Sequence, residues 1–382
     1  MIIMIPAYKP DHSLVALCTE LTDEAQSRGA CIELLVIDAG SGAEFAPIFD
    51  RVRNTARTPV TVLELPENRG KGGALRAGFE WVQLHHPGQS VVTADADGQH
   101  LPADILTVGA ATESYKLVGT SAIVLGVRTL DDQKTKGQKV PLRSRIGNTA
   151  TIGFFALATG HKIADTQTGL RGFTPDVLDW VISVPGNRYE YEFSTLLRVT
   201  RTDIVLDQVP IVKVYEPGNP TSHFRPVRDS LRIYAPLIIF LAASFAGFIT
   251  DTLALLFLVS CGLNIIAAVV GARIFSASIN FAINRWAMHD GGKRPSTRSS
   301  VVRYSVLALM LLALNAGLLE ALTWAGIHLL VAKILVELTL IPVSFAVQKR
   351  WVFSAASSVQ AKPKKLAQQP EHQRIKVSVY PL

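Results

Sequence analysis

The chain has 382 residues, room for two domains, with 48% hydrophobic residues and a mean hydropathy of +0.27. Three scattered cysteines, Cys18, Cys31 and Cys261, exclude a disulfide framework and a zinc spacing, and suit a reducing compartment. The net charge of +7 fits the basic loops of a membrane protein better than a nucleic-acid partner.

The first half alternates strand and helix. Ile2–Ile5 predicts a strand, and no basic region with a cleavage site accompanies it, so no signal peptide is expected. A helix over Asp11–Arg28 follows, then a strand over Ile32–Ile37 that ends at Asp38. Val60–Leu65 reads as a third strand, followed by a Gly-rich turn and a helix over Gly73–Leu84. Val91–Thr93 leads into Asp95-Ala96-Asp97-Gly98-Gln99-His100. Two carboxylates at i and i+2 on a strand end suit one hard cation, and such a cation usually also holds substrate phosphates. The alternation predicts an open, mostly parallel, Rossmann-like α/β sheet with its ligands at the carboxyl ends of the strands.

The second half is dominated by four apolar runs, 235–259, 263–283, 305–327 and 329–347. Each is close to the roughly 20 residues that cross a bilayer. Arg285, Lys293, Arg294, Arg298 and Arg303 sit between the second and third runs, and Lys349, Arg350, Lys362, Lys364, Lys365, Arg374 and Lys376 follow the fourth. The other two connections hold no Lys or Arg. Positive charge stays on the cytoplasmic side, so a multi-pass protein with both termini in the cytoplasm is expected. A shift of 64 residues places Asn280 on Ser344, Phe281 on Phe345, Asn284 on Gln348 and Arg285 on Lys349. That predicts a duplicated helical hairpin. Asp251, Arg273, Glu320, Lys333 and Glu337 in or near the runs either line a path for a charged headgroup or pair to fix packing. The expected domains are 1–231, 232–353 and a basic, disordered tail over 354–382.

The motifs of residues 2–230 resemble the inverting family 2 glycosyltransferases of GT-A fold, in the branch of the dolichol-phosphate mannose synthases. Pro6-Ala7-Tyr8 resembles that family's nucleotide-binding opening, and Asp38 the first acid of its Asp-Asp-Gly-Ser element, with Ala39 standing where a second Asp is usual. Asn68 to Gly78 is similar to the turn and helix beneath the nucleotide, where the glycines allow close backbone approach and Lys71 meets phosphate. The resemblance implies that Asp95, Asp97 and Gln99 surround Mg²⁺ or Mn²⁺, with Ala96 in the nucleotide-sugar site. It implies acceptor-phosphate contacts from Arg128 and from Arg143 or Arg145. Asp165 and Arg171 belong to a loop, 165–173, that shapes the sugar and acceptor site. Asp97, Arg128, Arg145 and Asp165 are the residues expected to carry catalysis. Glu190 or Glu192 contacts sugar hydroxyls, or else belongs to a strand face or a helix start. His223, Arg225 and Arg228 gather the diphosphate and the lipid phosphate, while Arg228 and Arg232 serve equally as membrane anchors. Residues 235–353 resemble the GtrA-like four-helix membrane family.

Together these features imply transfer of a sugar from a UDP- or GDP-linked donor to a polyprenyl or dolichyl phosphate. An anionic acceptor oxygen needs little help from a general base. Two other functions stay open: transfer to a glycan or glycolipid hydroxyl with Asp165, Glu190 or Glu192 as base, and a lipid-sugar transporter with an inactive soluble domain. Homo-oligomerisation is left open as well.

Overall fold

The computed structural model describes residues 1–128, 142–212, 234–287, 296–353 and 376–379. The chain divides into two units, which are taken separately.

In the first unit, buried apolar runs become strands and amphipathic stretches become the helices that cover them. β1 (Ile2–Ala7), β2 (Glu33–Asp38) and β3 (Val60–Glu64) alternate with α1 (His12–Ser27) and α2 (Ala46–Thr55). α3 (Gly70–His85), β4 (Val91–Thr93), α4 (Pro102–Leu117) and β5 (Ala122–Arg128) continue the alternation. α5 (Leu142–Thr159), β6 (Arg171–Phe173), α6 (Leu178–Ser183), α7 (Glu190–Val199) and β7 (Val205–Ile211) follow, and β8 (Lys376–Val379) lies in the tail. Asp11 caps α1 by accepting from the Ser13 amide at 2.8 Å. Leu14, Leu17, Cys18, Leu21 and Ala25 then bury one face of that helix against the sheet.

The sheet order is β7-β5-β6-β4-β1-β2-β3-β8. β1–β2, β1–β4, β2–β3 and β5–β7 pair in parallel. β6 runs antiparallel to both β4 and β5, so the sheet is mixed and not mostly parallel throughout. Two further expectations change. The Gly-rich stretch is not a turn before a helix but the first turn of α3 itself, which starts at Gly70. In the tail, Lys376–Val379 is not disordered but pairs antiparallel with β3. β3 would otherwise offer an open row of backbone donors and acceptors at the sheet edge, and the alternating Lys-Val-Ser-Val segment covers it.

The second unit holds α8 (Ala235–Ser260), α9 (Ile265–Ala287), α10 (Thr297–Trp324) and α11 (Leu329–Val347). Ile238–Ser260 and Thr297–Trp324 are long and apolar enough to cross a bilayer. They leave Phe245, Leu253, Phe257, Leu309 and Leu312 exposed, which water disfavours and hydrocarbon accepts. α9 and α11 carry ionisable residues, Arg273 and Arg285 in one and Lys333 and Glu337 in the other. Asp251 on α8 accepts from the Ser276 hydroxyl on α9 at 2.9 Å, a contact that fixes packing within the hairpin.

The duplication is visible in detail. Gly262 and Gly326, 64 positions apart, have φ of 84° and 85°. Around each, the helix closes with the same two bonds: Leu263 N to Leu258 O and Gly262 N to Val259 O, then Ile327 N to Leu322 O and Gly326 N to Thr323 O. This is a Schellman ending, made twice by equivalent residues. The hairpins also exchange equivalent contacts. Phe240 of α8 meets Phe345 of α11 at 5.4 Å and 69°, and Tyr304 of α10 meets Phe281 of α9 at 5.3 Å and 68°. A 64-residue shift turns one pair into the other, so a pseudo-two-fold relates the hairpins.

Candidate active site

The carboxyl ends of β1, β2 and β4 lie side by side. Ala7, the last residue of β1, is level with Asp38, the last of β2, and its carbonyl accepts from the Ala39 amide at 2.8 Å. Pro6 and Tyr8 flank it. Asp38 accepts from the Ser41 amide at 2.8 Å, and the Ser41 hydroxyl accepts from the Lys9 amide at 2.9 Å. Gly40 has φ of 77°, and a Cβ there would strike the Glu67 backbone. These bonds knit the loop after β1 to the loop after β2, and Ala39 is buried.

Past β4 the chain turns at Gly98 (φ 72°), and Asp97 accepts from the Gln99 amide at 3.1 Å. The Ala94 amide donates to Met4 O at 3.0 Å, holding the start of this turn against β1. Asp95 is the hub. Lys71 Nζ lies 2.5 Å from Asp95 Oδ1 and 3.0 Å from Glu192 Oε2, and His100 Nε2 lies 3.4 Å from Asp95 Oδ2. Burial would raise the Asp95 carboxyl, but Lys71 and then His100 outweigh it and hold it well below the usual carboxylate range. Burial, then the Asp95 charge, raises Asp97. Burial lowers the Lys71 ammonium, but Asp95 and Glu192 more than reverse this. A Cβ on Gly169 would strike the Asp95 carboxylate, so only glycine lets the 161–170 loop close here. The Thr93 hydroxyl anchors that loop by donating to Gly169 O at 2.8 Å.

Arg128, at the end of β5, donates from Nε to Asp165 Oδ2 at 2.5 Å and from Nη2 to Oδ1 at 3.1 Å. Asp165 also accepts from the Gln167 amide at 2.9 Å. Burial would raise Asp165, but the Arg128 fork outweighs it and lowers the carboxyl. Such a carboxylate is a poor proton acceptor. Its place is to aim Arg128.

Other expected residues serve the scaffold. Arg171 is 2% exposed; Nε donates to Thr168 O at 2.9 Å and Nη1 to Glu192 O at 2.7 Å. It is therefore a brace between the loop and α7, not a phosphate ligand, because its guanidinium is enclosed by protein. Glu190 accepts from the Asn187 and Arg188 amides at 3.3 Å each, which makes it part of the start of α7. Gly72 packs on the Tyr191 ring, and Gly78 on Met4 and Ile37, so the close approach these glycines permit is to protein. Arg143 and Arg145 fall in the first turn of α5, with side chains outside the description. His223, Arg225, Arg228 and Arg232 lie outside the described residues. Sequence reasoning did not join His100 and Glu192 to Asp95 and Lys71. The signals were the place of His100 in the Asp motif and the family resemblance at Glu190 and Glu192, and nothing along the chain shows that Glu192 reaches the cluster from a distant helix.

No three His, Cys, Asp or Glu side chains among the described residues converge as a metal-ligand group. The donor chemistry of Asp95 and Asp97 still fits a hard cation, which takes carboxylate oxygens. The Lys71 ammonium already answers the demand for positive charge at Asp95.

The profile of glycosyl transferase family 2 matches residues 2–172. That of the GtrA/DPMS transmembrane domain matches residues 239–353. The chain joins a family 2 glycosyltransferase domain to a GtrA/DPMS transmembrane domain. An uncharacterized protein of Methanocaldococcus jannaschii is 28% identical over 217 residues, 56% of this chain and 81% of that protein. A dolichyl-phosphate beta-glucosyltransferase of Trichomonas vaginalis is 29% identical over 188 residues, 47% of this chain and 52% of the relative, so the match spans about half of that enzyme. Glucosyl-3-phosphoglycerate synthase of Mycobacterium tuberculosis, solved with Mn²⁺, UDP and phosphoglyceric acid, superposes on 62% of this chain and 75% of its own. Its identity is 17% and its TM-score 0.39, too loose a likeness to place residues. The family 2 glycosyltransferase domain and the mixed open sheet agree with the GT-A architecture, and the GtrA/DPMS domain makes this a membrane protein.

Proposed function

We propose that this enzyme moves a sugar from a UDP- or GDP-linked donor to the phosphate of a polyprenyl or dolichyl lipid at the cytoplasmic face of a membrane that its four helices span. The observation that carries this reading is the Asp95–Lys71–Glu192–His100 cluster at the carboxyl ends of the strands, in a chain that also supplies its own membrane domain. A relative's name specifies dolichyl phosphate as its acceptor, which supports the lipid.

Asp95 and Asp97, with Gln99, would hold Mg²⁺ or Mn²⁺, which supplies charge stabilisation to the leaving diphosphate. The protein's own groups do the rest. Lys71, which neutralises Asp95, would also donate to a donor phosphate held at the same strand ends. Arg128, aimed by Asp165, meets the anionic acceptor and offsets its repulsion by the diphosphate. The acceptor oxygen is already charged, so no base is needed, and the low proton affinity of Asp165 suits that chemistry better than attack by a hydroxyl. Displacement at the anomeric carbon forms a bond from the lipid phosphate oxygen and breaks the bond to the nucleotide diphosphate, with inversion.

Membranes holding the full chain, given labelled UDP- or GDP-sugars, polyprenyl phosphate and Mn²⁺, should place label in the lipid fraction. Asp97→Ala should lower that rate at least 100-fold. Label in a polymer and none in lipid would overturn the reading.

A further inference from the structure

Glu192 reaches Lys71 from α7, and its own side chain is held by little else. Its Oε2 lies 3.0 Å from Lys71 Nζ, while Oε1 is buried without a hydrogen-bond partner among the described residues. The backbone on either side therefore has to set its place. From β6, Arg171 Nη1 takes the Glu192 carbonyl at 2.7 Å. On the other side the chain arrives through 184–189, which is neither helix nor strand.

Arg76, on α3, gathers that lead-in. Its Nε donates to Ile182 O at 3.1 Å, Nη2 to Val184 O at 2.8 Å and Gly186 O at 2.7 Å, and Nη1 to Asn187 Oδ1 at 3.1 Å. Ile182 and Val184 lie at the end of α6, where a helix leaves its last carbonyls unmet and a cation is favoured. The guanidinium also lies over the Tyr191 ring, 5.3 Å from its centroid. Tyr191, the neighbour of Glu192, is 2% exposed, and its hydroxyl donates to Val181 O at 2.7 Å. The first turn of α3 completes the grip: the Gly73 amide donates to Asn187 O at 2.9 Å, and a Cβ on Gly72 would strike the Tyr191 side chain.

One helix thus carries Lys71 and the groups that place its partner. A planar guanidinium presents donors in a fixed fork and meets four acceptors spread over 182–187, whereas an ammonium is a single point with three donors. We infer that Arg76 is a positioning residue for sugar transfer: by fixing 182–191 it holds Glu192 against Lys71, and so Lys71 toward the donor diphosphate. Arg76 itself touches neither substrate. This rests on the proposed function, which gives Lys71 a phosphate to meet.

The test uses the full chain in phosphatidylcholine nanodiscs with Mn²⁺, polyprenyl phosphate and whichever of labelled UDP-glucose, UDP-N-acetylglucosamine or GDP-mannose marks the lipid. Arg76→Lys and Glu192→Gln should each lower kcat/KM for the donor by about 10-fold and leave KM for polyprenyl phosphate unchanged. In the double variant the loss should match that of Glu192→Gln alone within about 2-fold, because both substitutions break one linkage. A brace that serves the fold alone would multiply the two losses. Asn187→Ala, which removes one of the four acceptors, should show a smaller loss with the same dependence on Glu192, and it serves if Arg76→Lys does not fold. Hydrogen exchange read by mass spectrometry needs no turnover: Arg76→Lys should hasten exchange over 186–193 and leave β1, β2 and β4 unchanged. Multiplying losses, or unchanged exchange over 186–193, would overturn the inference. A parent that marks no lipid would instead overturn the proposed function, and the exchange result would then decide whether Arg76 places Glu192.

Discussion

Asp165 is 1% exposed, and its charge is tolerable there because Arg128 meets both oxygens. Removing the guanidinium strands a buried carboxylate. Arg128→Met should cost about 3–5 kcal/mol, read by denaturant unfolding in detergent. The Arg128→Met/Asp165→Leu double variant should recover most of that stability and none of the transfer activity, which separates Arg128's role in the fold from its role at the acceptor. The pH dependence has a definite sign. Asp165 is lowered in the folded protein, so its contribution is complete above the ordinary carboxylate value of about 3.9 and fades as pH falls through the lower folded value. Acid unfolding of Asp165→Asn should show a shallower slope across that window than the parent. An unchanged slope would show that another carboxylate controls acid stability.

At the scale of elements, the helical hairpins end alike because their turn residues are alike. Gly262 and Gly326 take left-handed φ values that Ala reaches only with strain. Gly262→Ala and Gly326→Ala should each destabilise the second unit by about 1 kcal/mol, and by equal amounts within error, in thermal scans of detergent-solubilised protein. Unequal effects would mean that the two turns are not equivalent. In the first unit, α3 shows how a residue pattern misleads. Gly70, Gly72, Gly73 and Gly78 read as allowing close backbone approach beneath the nucleotide, and Gly72 and Gly78 admit Tyr191, Met4 and Ile37. A glycine signals close approach but not what approaches.

For the whole molecule, apolar surface decides where the chain resides. α8 and α10 present bulky side chains that nothing in their unit covers, whereas the first unit buries its core residues within its own sheet and helices. The full chain should stay with membranes through a carbonate wash, and a chain lacking residues 235–353 should appear in the soluble fraction. Retention of the shortened chain would place a membrane anchor in the first unit.

The sequence by itself determined the alternation of strand and helix, the apolar runs, the 64-residue duplication and the candidacy of Asp95, Asp97, Lys71 and Arg128. The alternation, the apolar runs, the duplication and the Asp95/Asp97 pair follow from period, composition and spacing, which are local, while Lys71 and Arg128 rest on the family resemblance. Only the tertiary structure decided that Arg171 braces a loop, that Glu190 starts a helix, and that Lys71 joins Asp95 to Glu192 with His100 alongside. It also ran β6 against its neighbours and paired a tail segment with the edge of β3. Charges on separate elements find one another only when packing closes the distance and removes the water between them, and no spacing along the chain records that.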